Sequence, residues 1–156
     1  MNIKKSRDIE NNKKIEKNIA DFLTKKGIKV LEINKKENDE FDFLIENKKG
    51  EVSTIEMKKE DKYITKEKDT GNLFVEIECN EKPSGISTSK SDWYMFYLIN
   101  IEEIWIIETP KLKHLMWIHN FKLSPYSGDF DNRTKGILIP RTIGQIKEQF
   151  TIINVK

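Results

Sequence analysis

The sequence has little cysteine and no long apolar run, and each shortage excludes a class of protein. A single cysteine, Cys79, among 156 residues excludes an internal disulfide and favours a reducing compartment. No apolar stretch reaches the roughly 18 residues that a membrane-spanning helix needs, so we expect no membrane partner. The charged N-terminal segment has no apolar core, so we expect no signal peptide and a cytoplasmic location. The length indicates one domain over residues 1–156.

Several motifs of familiar chemistry are also missing. The sequence has no GxxxxGK[ST] loop, which excludes a P-loop, so no nucleotide cofactor is expected. It has no HExxH pair, and His114 and His119 are five residues apart, a spacing that does not share one helix face. Zinc-dependent hydrolysis and Ser/His/Asp acyl transfer are therefore not favoured.

Charged residues are abundant, at 35% of the chain, but they nearly balance at a net charge of +2. Residues 61–109 hold 5 basic and 10 acidic side chains, whereas residues 110–156 hold 8 basic and 3 acidic ones. This distribution suits a metal site beside phosphate-binding lysines, although a solvated surface gives the same pattern. Lysine outnumbers arginine 25 to 3, which favours backbone contacts over base reading and predicts weak sequence specificity.

The most informative segment is a predicted hairpin over residues 41–58, with the sequence FDFLIENKKGEVSTIEMK. A three-residue loop that ends at Gly50, in the left-handed conformation, would close it. Counting back from this loop places Asp42 directly across from Glu56, with Cβ atoms about 4.5–5.5 Å apart. Lys58 then shares a face with Glu56. The other face is apolar and collects Phe41, Phe43, Ile45, Ile55 and Met57.

Two facing carboxylates and a lysine suit metal-dependent hydrolysis of a phosphodiester. The carboxylates repel each other unless a cation neutralises them, and Mg²⁺ takes few carboxylates together with waters and phosphate oxygens. Such a metal polarises the phosphate and activates water. The ammonium group of Lys58 would orient that water or stabilise charge in the transition state. The alternative is an ordinary solvated hairpin face, because three charged positions match easily in a chain this rich in charge.

The rest of the chain predicts an α/β fold with a central mixed β-sheet flanked by helices. The expected helices cover residues 8–26, 110–119 and 142–150, and the expected strands outside the hairpin cover 29–33, 72–79, 93–99 and 103–108. We expect loops over residues 59–70 and 80–89 and irregular structure over 121–141.

The motif formed by Asp42 and Glu56-Met57-Lys58 resembles the D-x(n)-(D/E)-x-K signature of the PD-(D/E)XK nuclease superfamily. The runs TGN-strand-ExE over residues 70–78, KPSGIS over 82–87 and KSDW over 90–93 are similar to small phage and bacterial members. The resemblance covers about residues 40–95, with Phe41 where the eponymous proline would stand. It implies a restriction-endonuclease-like fold, Mg²⁺ or Mn²⁺ as the cofactor, and DNA as the partner.

Further candidate site residues follow from the resemblance and from local chemistry. Glu16 lies on the first helix, where many members carry an acid near the metal; a solvated helix charge is the alternative. Lys90 would supply a second positive charge at the scissile phosphate, with Asp92 as its ion-pair partner or a cap. Glu76 and Glu78 are further candidate ligands or supporting residues. The loop with small hydroxyl residues suits phosphate binding or a plain turn, and its candidates are Ser84, Gly85, Ser87 and Thr88.

Together these observations predict a metal-dependent nuclease acting on DNA, in which Asp42 and Glu56 bind the metal. Endonuclease, exonuclease and structure-selective junction resolvase all remain open, and a resolvase would act as a homodimer. If the chain is encoded by a phage, the location is the host cytoplasm. The alternatives are a catalytically inactive nuclease fold that binds nucleic acid, and a phage protein that binds a host enzyme. RNA also stays open as a substrate. Trp93, Trp105 and Trp117 could stack on unpaired bases, although such residues more often belong to the core.

Overall fold

A computed structural model describes residues 3–34, 41–60, 64, 67–124 and 133–156. Within these ranges the fold is mixed α/β, with two β-sheets and few helices. The elements in chain order are α1 (Ile3–Lys25), β1 (Lys29–Ile33), β2 (Phe43–Glu46), β3 (Val52–Glu60), β4 (Asn72–Cys79), β5 (Lys82–Pro83), β6 (Trp93–Leu98), β7 (Glu103–Glu108), α2 (Thr109–Ile118), β8 (Lys122–Leu123), β9 (Thr134–Pro140), α3 (Gly144–Lys147) and β10 (Thr151–Asn154). Single 3₁₀ turns cover Gly85–Ser87 and Ile99–Ile101. None of the described helices is long and apolar enough to cross a membrane.

The larger sheet is mixed and has the strand order β1-β2-β3-β6-β7-β10. Its central pair, β3 and β6, is parallel, and the other neighbouring pairs are antiparallel. A parallel pair needs a long connection between its strands. Here the connection from β3 to β6 includes β4 and β5, which belong to the smaller sheet, ordered β5-β4-β9-β8.

The two faces of the larger sheet have different coverings. On one face, α1 buries Ile19 and Leu23 against residues of the sheet that include Phe43 and Met95. On the other face, Phe96 packs in a second core with Leu112 of α2 and residues of the smaller sheet. Alternate residues of β6 therefore enter different cores. The expected flanking by helices applies to the α1 face, whereas the smaller sheet covers much of the other.

An ion pair between the buried Arg141 and the exposed Asp69 joins the segment just before β4 to the residue that follows β9. The guanidinium of Arg141, which is 5% exposed, donates to both carboxylate oxygens of Asp69. This hydrogen bonding lowers the pKa of the Asp69 carboxyl. The pair thus holds the smaller sheet together at the end where the chain enters it, since a buried charge needs a bonded partner.

Several predicted elements are confirmed. The strand at Lys29–Ile33 has the predicted bounds, and α2 begins at Thr109, with Pro110 in its first turn. The strand at Asn72–Cys79 is also confirmed, and it buries Leu73 and Val75 completely. The first helix begins earlier than predicted, at Ile3.

Two predictions for the C-terminal part of the chain are wrong. Residues 121–141 contain β8 and β9, and the helix expected over 142–150 is only the single turn α3, followed by β10. In β9, Gly136 resembles a turn signal, but a Cβ there would lie 2.6 Å from the ring of Phe74 on the paired strand β4. Close packing, which local sequence does not reveal, requires this glycine.

The loop expected over residues 59–70 is also partly wrong. Strand β3 continues to Glu60, and Ile64 forms an isolated bridge with Asp69. The rest of that prediction, at residues 61–63 and 65–66, lies outside the described part of the chain. The side chain of Ile64 is fully buried and belongs to the core beside the smaller sheet.

Candidate functional site

The hairpin of β2 and β3 has the predicted loop and the predicted register over its paired residues. Gly50 has a φ of 81°, and the N–H of Asn47 donates to the carbonyl of Glu51 at 3.0 Å. Strand pairing then runs from Glu46 with Val52 to Phe43 with Ile55. Of the predicted apolar face, Phe43, Ile45 and Ile55 are buried in a core shared with α1, Met57 is partly buried there, and Phe41 is half-buried outside it.

Regular pairing ends one residue before the predicted pair of Asp42 and Glu56. The N–H of Asp42 donates to the carbonyl of Ile55 at 2.9 Å, whereas in continued antiparallel pairing Asp42 and Glu56 would form a pair without backbone hydrogen bonds between them. The carboxylate of Asp42 instead accepts the N–H of Met57 at 2.7 Å. The side chain of Asp42 therefore takes a backbone donor on β3 beyond the end of β2, and this bond fixes its position.

A cleft of about 500 Å³ lies between α1 and this end of β3. Asn12 and Glu16 are one turn apart on α1, so they share the helix face that borders the cleft. The lining residues include Asn12, Ile15, Glu16, Asp42, Lys58 and Lys59. The structure thus places three predicted site residues, Glu16, Asp42 and Lys58, around one cleft.

The two acids that line the cleft, Asp42 and Glu16, both have raised pKa values. Burial raises the pKa of Asp42 and the charge of Glu56 raises it further, against the lowering effects of the Met57 N–H and of Lys58. Burial likewise raises the pKa of Glu16, with a further contribution from Asp42 and an opposing one from Lys13. A bound cation would offset both the burial and the repulsion.

Lys58 lines the cleft and forms an ion pair with Glu56. Its ammonium nitrogen lies 3.3 Å from Glu56 Oε1, and the side chains are 35% and 19% exposed respectively. As the alternation of β3 predicts, the two residues share one face of the strand. The lysine charge is therefore held beside the two acids that the sequence analysis paired.

Tyr94 is a further residue of this region, and the sequence analysis missed it. It is the partner of Glu56 in the parallel pairing of β3 with β6, and its side chain is fully buried. Its hydroxyl has no hydrogen-bond partner among the described residues. Burial raises its pKa well above the usual range, and the charges of Glu56, Glu76, Glu60 and Asp42 add to this effect. No sequence signal places Tyr94 beside Glu56, because the β3–β6 register is set by long-range pairing.

Lys90 lines a different cleft from Asp42 and Lys58. This second cleft has a volume of about 740 Å³ and lies where β6 begins and β7 ends; Trp93, Glu108 and Lys113 also line it. Asp92, considered as a partner of Lys90 or a cap, accepts the N–H of Thr54 at 2.8 Å. It therefore ties the start of β6 to β3.

The loop expected to bind phosphate is bonded largely to its own backbone and to β4. The hydroxyl of Ser87 donates to the carbonyl of Ile77 at 2.8 Å, and that of Thr88 to the carbonyl of Gly85 at 3.4 Å. A Cβ at Gly85 would lie 2.2 Å from the carbonyl oxygen of Glu76. Ser84 Oγ is buried and has no hydrogen-bond partner in the described residues. These contacts favour the plain-turn interpretation for Ser87 and Thr88.

Glu76 and Glu78 both lie on β4, separated by an irregularity in the pairing with β9. The backbone of Glu76 packs under Gly85, and its carboxylate charge acts on the Tyr94 hydroxyl. Glu78 pairs with Pro83 of β5 and Lys135 of β9. Glu76 is therefore the one of the two that acts electrostatically on the Glu56 region.

The described residues contain no group of three or more His, Cys, Asp or Glu side chains arranged to hold a metal ion. In comparisons with known proteins, no protein-family model, curated protein or solved structure matches the chain.

Proposed function

We propose that the chain is a Mg²⁺- or Mn²⁺-dependent nuclease that hydrolyses phosphodiester bonds in DNA. The observation that carries the proposal is the arrangement of Asp42, Glu56 and Lys58 at one end of β3, beside the cleft under α1. The proposal includes the restriction-endonuclease-like fold of the PD-(D/E)XK superfamily. The mixed sheet and the position of α1 on one face of it support that fold.

The carboxylates in the cleft, Asp42 and Glu16, together with Glu56 beside it, suit a hard divalent cation. Asp42 and Glu56 would hold it, with Glu16 on the opposite wall as a further ligand. Mg²⁺ takes one or two protein carboxylates and fills its other positions with waters and phosphate oxygens, so a large protein cage is unnecessary. When bound, the metal supplies polarisation of the phosphate and a lowered pKa of water.

The protein groups would contribute position and charge. Asp42 is held by the N–H of Met57, so its carboxylate needs little rearrangement to bind a cation. Lys58 is held by Glu56 and lines the cleft, where its ammonium would orient the attacking water or stabilise charge that develops on the phosphate. Exchange of either group for a neutral one should therefore reduce the rate of cleavage.

The test is cleavage of labelled linear duplex, single-stranded, four-way DNA and RNA with Mg²⁺, Mn²⁺ or EDTA. We expect metal-dependent cutting that Glu56→Gln and Lys58→Met each reduce at least about 100-fold, the usual cost of one transition-state contact. Glu51→Gln and Lys49→Met are matched controls, because both residues are exposed in the same hairpin. Their activity should equal that of the unmodified protein.

The same panel separates the finer forms of the proposal. Selective cutting of four-way DNA by a homodimer in sedimentation would indicate a junction resolvase. Cutting of RNA alone would overturn DNA as the substrate. Binding without cutting, under every metal condition and unchanged by the two site variants, would contradict the enzyme and favour the inactive nucleic-acid-binding alternative.

A further inference from the structure

Trp117 lies in the last turn of α2 and is 87% exposed, whereas Trp105 is 4% exposed and Trp93 is half-buried. The helix already has a buried apolar face, which contributes Leu112 and Leu115 to the core. Trp117 therefore adds nothing to that packing. Exposed aromatic side chains beside basic groups are the combination on which unpaired bases stack in single-strand-binding proteins.

The surroundings of Trp117 are basic. Lys113 and His114 are four and three residues before it on α2, so they lie on the same side of the helix, and both are exposed. Lys111 and Lys122 are also exposed. The segment over residues 109–124 contains three lysines and no acid. The nearest preceding acid, Glu108, lies before the opposite end of the helix.

On one side this surface meets the second cleft, whose walls hold Lys90 and Lys113 together with Asp92 and Glu108. The ammonium of Lys113 donates to the carbonyl of Ser89 at 3.2 Å, which fixes that lysine beside Lys90 in the cleft wall. Beyond the helix, His119 stacks on Phe121 with ring centroids 5.1 Å apart. Along the chain, lysines and aromatic residues therefore follow one another from Lys113 to Lys122.

We propose that this surface, which we name the α2 surface and define by Lys113, His114, Trp117 and Lys122, binds an unpaired nucleic-acid strand. A base would stack on Trp117 while the lysines contact phosphates, the combination that single-strand binding requires. A second copy of the chain fits less well, because a symmetric contact through this surface would bring lysine against lysine. The inference rests on the proposed function, since it gives that nuclease a substrate with an unpaired stretch.

The test measures binding separately from cutting. Full-length Glu56→Gln protein in EDTA is titrated with fluorescent oligo(dT) and with a duplex of equal length. Trp117→Ala, added to that protein, should weaken oligo(dT) binding about 5- to 150-fold, which corresponds to the stacking of one base, about 1–3 kcal/mol. Trp117→Phe should lose much less. Ile118→Ala is the matched control, because Ile118 is 57% exposed beside Trp117 but offers no aromatic face.

Two further readouts follow from the chemistry. Oligo(dT) should quench tryptophan fluorescence, and Trp117→Phe should remove most of that quenching. Lys122→Gln should reduce the slope of log affinity against log salt by about 0.7, the value for one phosphate contact on a single strand. Lys49→Gln, in the distant hairpin loop, should leave the slope unchanged.

Several outcomes would overturn the inference. Unchanged oligo(dT) binding in Trp117→Ala, or equal losses in Trp117→Ala and Ile118→Ala, would show that no base stacks on Trp117. Dissociation of a dimer by Trp117→Ala in sedimentation would show that the surface joins two copies of the chain. Trp117-dependent binding to phosphatidylserine vesicles, without binding to oligo(dT), would show that the partner is a membrane. Cutting by the native protein with normal oligo(dT) binding by Trp117→Ala would contradict this inference alone. Trp117-dependent binding by a protein that never cuts would contradict only the proposed nuclease.

Discussion

Replacing Asp42 by asparagine should make the metal-free protein more stable at neutral pH, although it removes a residue proposed to bind metal. The pKa of Asp42 is raised in the folded protein, mainly by burial and also by the charge of Glu56. A raised pKa means that the ionised carboxylate costs folding free energy. Asparagine removes that charge but keeps an oxygen that can accept the N–H of Met57.

The magnitude follows from the neighbouring groups. A like-charged pair on adjacent strands destabilises by roughly 0.2–1 kcal/mol, so Asp42→Asn should gain about that much. For a domain of this size, 1 kcal/mol shifts Tm by about 2–4 °C. Asp42→Ala should behave differently, because it leaves the N–H of Met57 without its acceptor at a cost of about 1–3 kcal/mol. Asparagine should therefore raise Tm by a few degrees at most, and alanine should lower it.

The stabilisation of the folded protein by Asp42→Asn should decrease as the pH falls. Because the folded-state pKa of Asp42 is raised, the penalty of its charge is present above that pKa. The penalty disappears as pH falls through it and the carboxyl becomes protonated. The Tm difference between Asp42→Asn and the unmodified protein should thus be largest at pH 7–8 and shrink under acidic conditions.

Thermal melting in EDTA between pH 4 and pH 8 measures this difference for both variants. Glu51→Gln controls for general loss of negative charge, since Glu51 is exposed in the hairpin loop. Equal destabilisation by asparagine and alanine at pH 8 would refute the reasoning, because it would show that the carboxylate charge stabilises the folded state.

Three further predictions concern the metal, a glycine and a tyrosine. Mg²⁺ at about 100 times its Kd should stabilise the unmodified protein by about 2.7 kcal/mol in calorimetry, and a similar gain in Asp42→Asn would contradict the assignment of that ligand. Gly85→Ala should lower the unfolding free energy in urea by about 1–3 kcal/mol, because Gly85 has a φ of 55° and its Cβ would press on the carbonyl of Glu76. Gly144→Ala, where a Cβ meets nothing within 4 Å, is the control and should cause little change. Tyr94→Phe should leave urea stability unchanged or raise it, because the buried hydroxyl has no protein partner in the described residues; a loss above about 1 kcal/mol would indicate a bond to this hydroxyl.

Local signals in the sequence were sufficient to predict much of the larger sheet. The loop ending at Gly50 sets the hairpin register, because turn length and a left-handed glycine determine which residues face each other. Pro110 marks the start of α2 because a proline at that position sacrifices no helical hydrogen bond. These features depend on residues close together in the chain.

Other features depend on pairings between distant residues, and the sequence did not reveal them. Strand β9 contains Gly136 and ends at Pro140, so its local pattern resembles a loop, yet it pairs along most of β4. The same limit applies to the site. The N–H of Met57 donates to the Asp42 carboxylate because β2 does not extend far enough to pair with this part of β3. Tyr94 lies beside Glu56 because β3 and β6 pair in parallel, although the two residues are 38 positions apart in the sequence.

The position of Lys90 shows why nearness to a predicted motif in the sequence does not place a residue in the same site. Lys90 follows the predicted phosphate loop closely, but Asp92 is bonded to Thr54 at the far end of β3 from Lys58. The chain therefore places Lys90 with Lys113 of α2, in a cleft other than that of Asp42. The short distance along the chain between Lys90 and the predicted loop does not indicate this cleft, because the position of Lys90 is set by the start of β6.

The central claim is tested most directly by single-turnover cleavage of labelled DNA with Mg²⁺, comparing Glu56→Gln with Glu51→Gln. Both variants remove one negative charge from the same hairpin, but only Glu56 contacts Lys58 beside the cleft. The account predicts metal-dependent cutting by Glu51→Gln at the native rate and a loss of at least about 100-fold in Glu56→Gln. Equal rates in the two variants, or no cutting by the native protein with any metal or substrate, would contradict it.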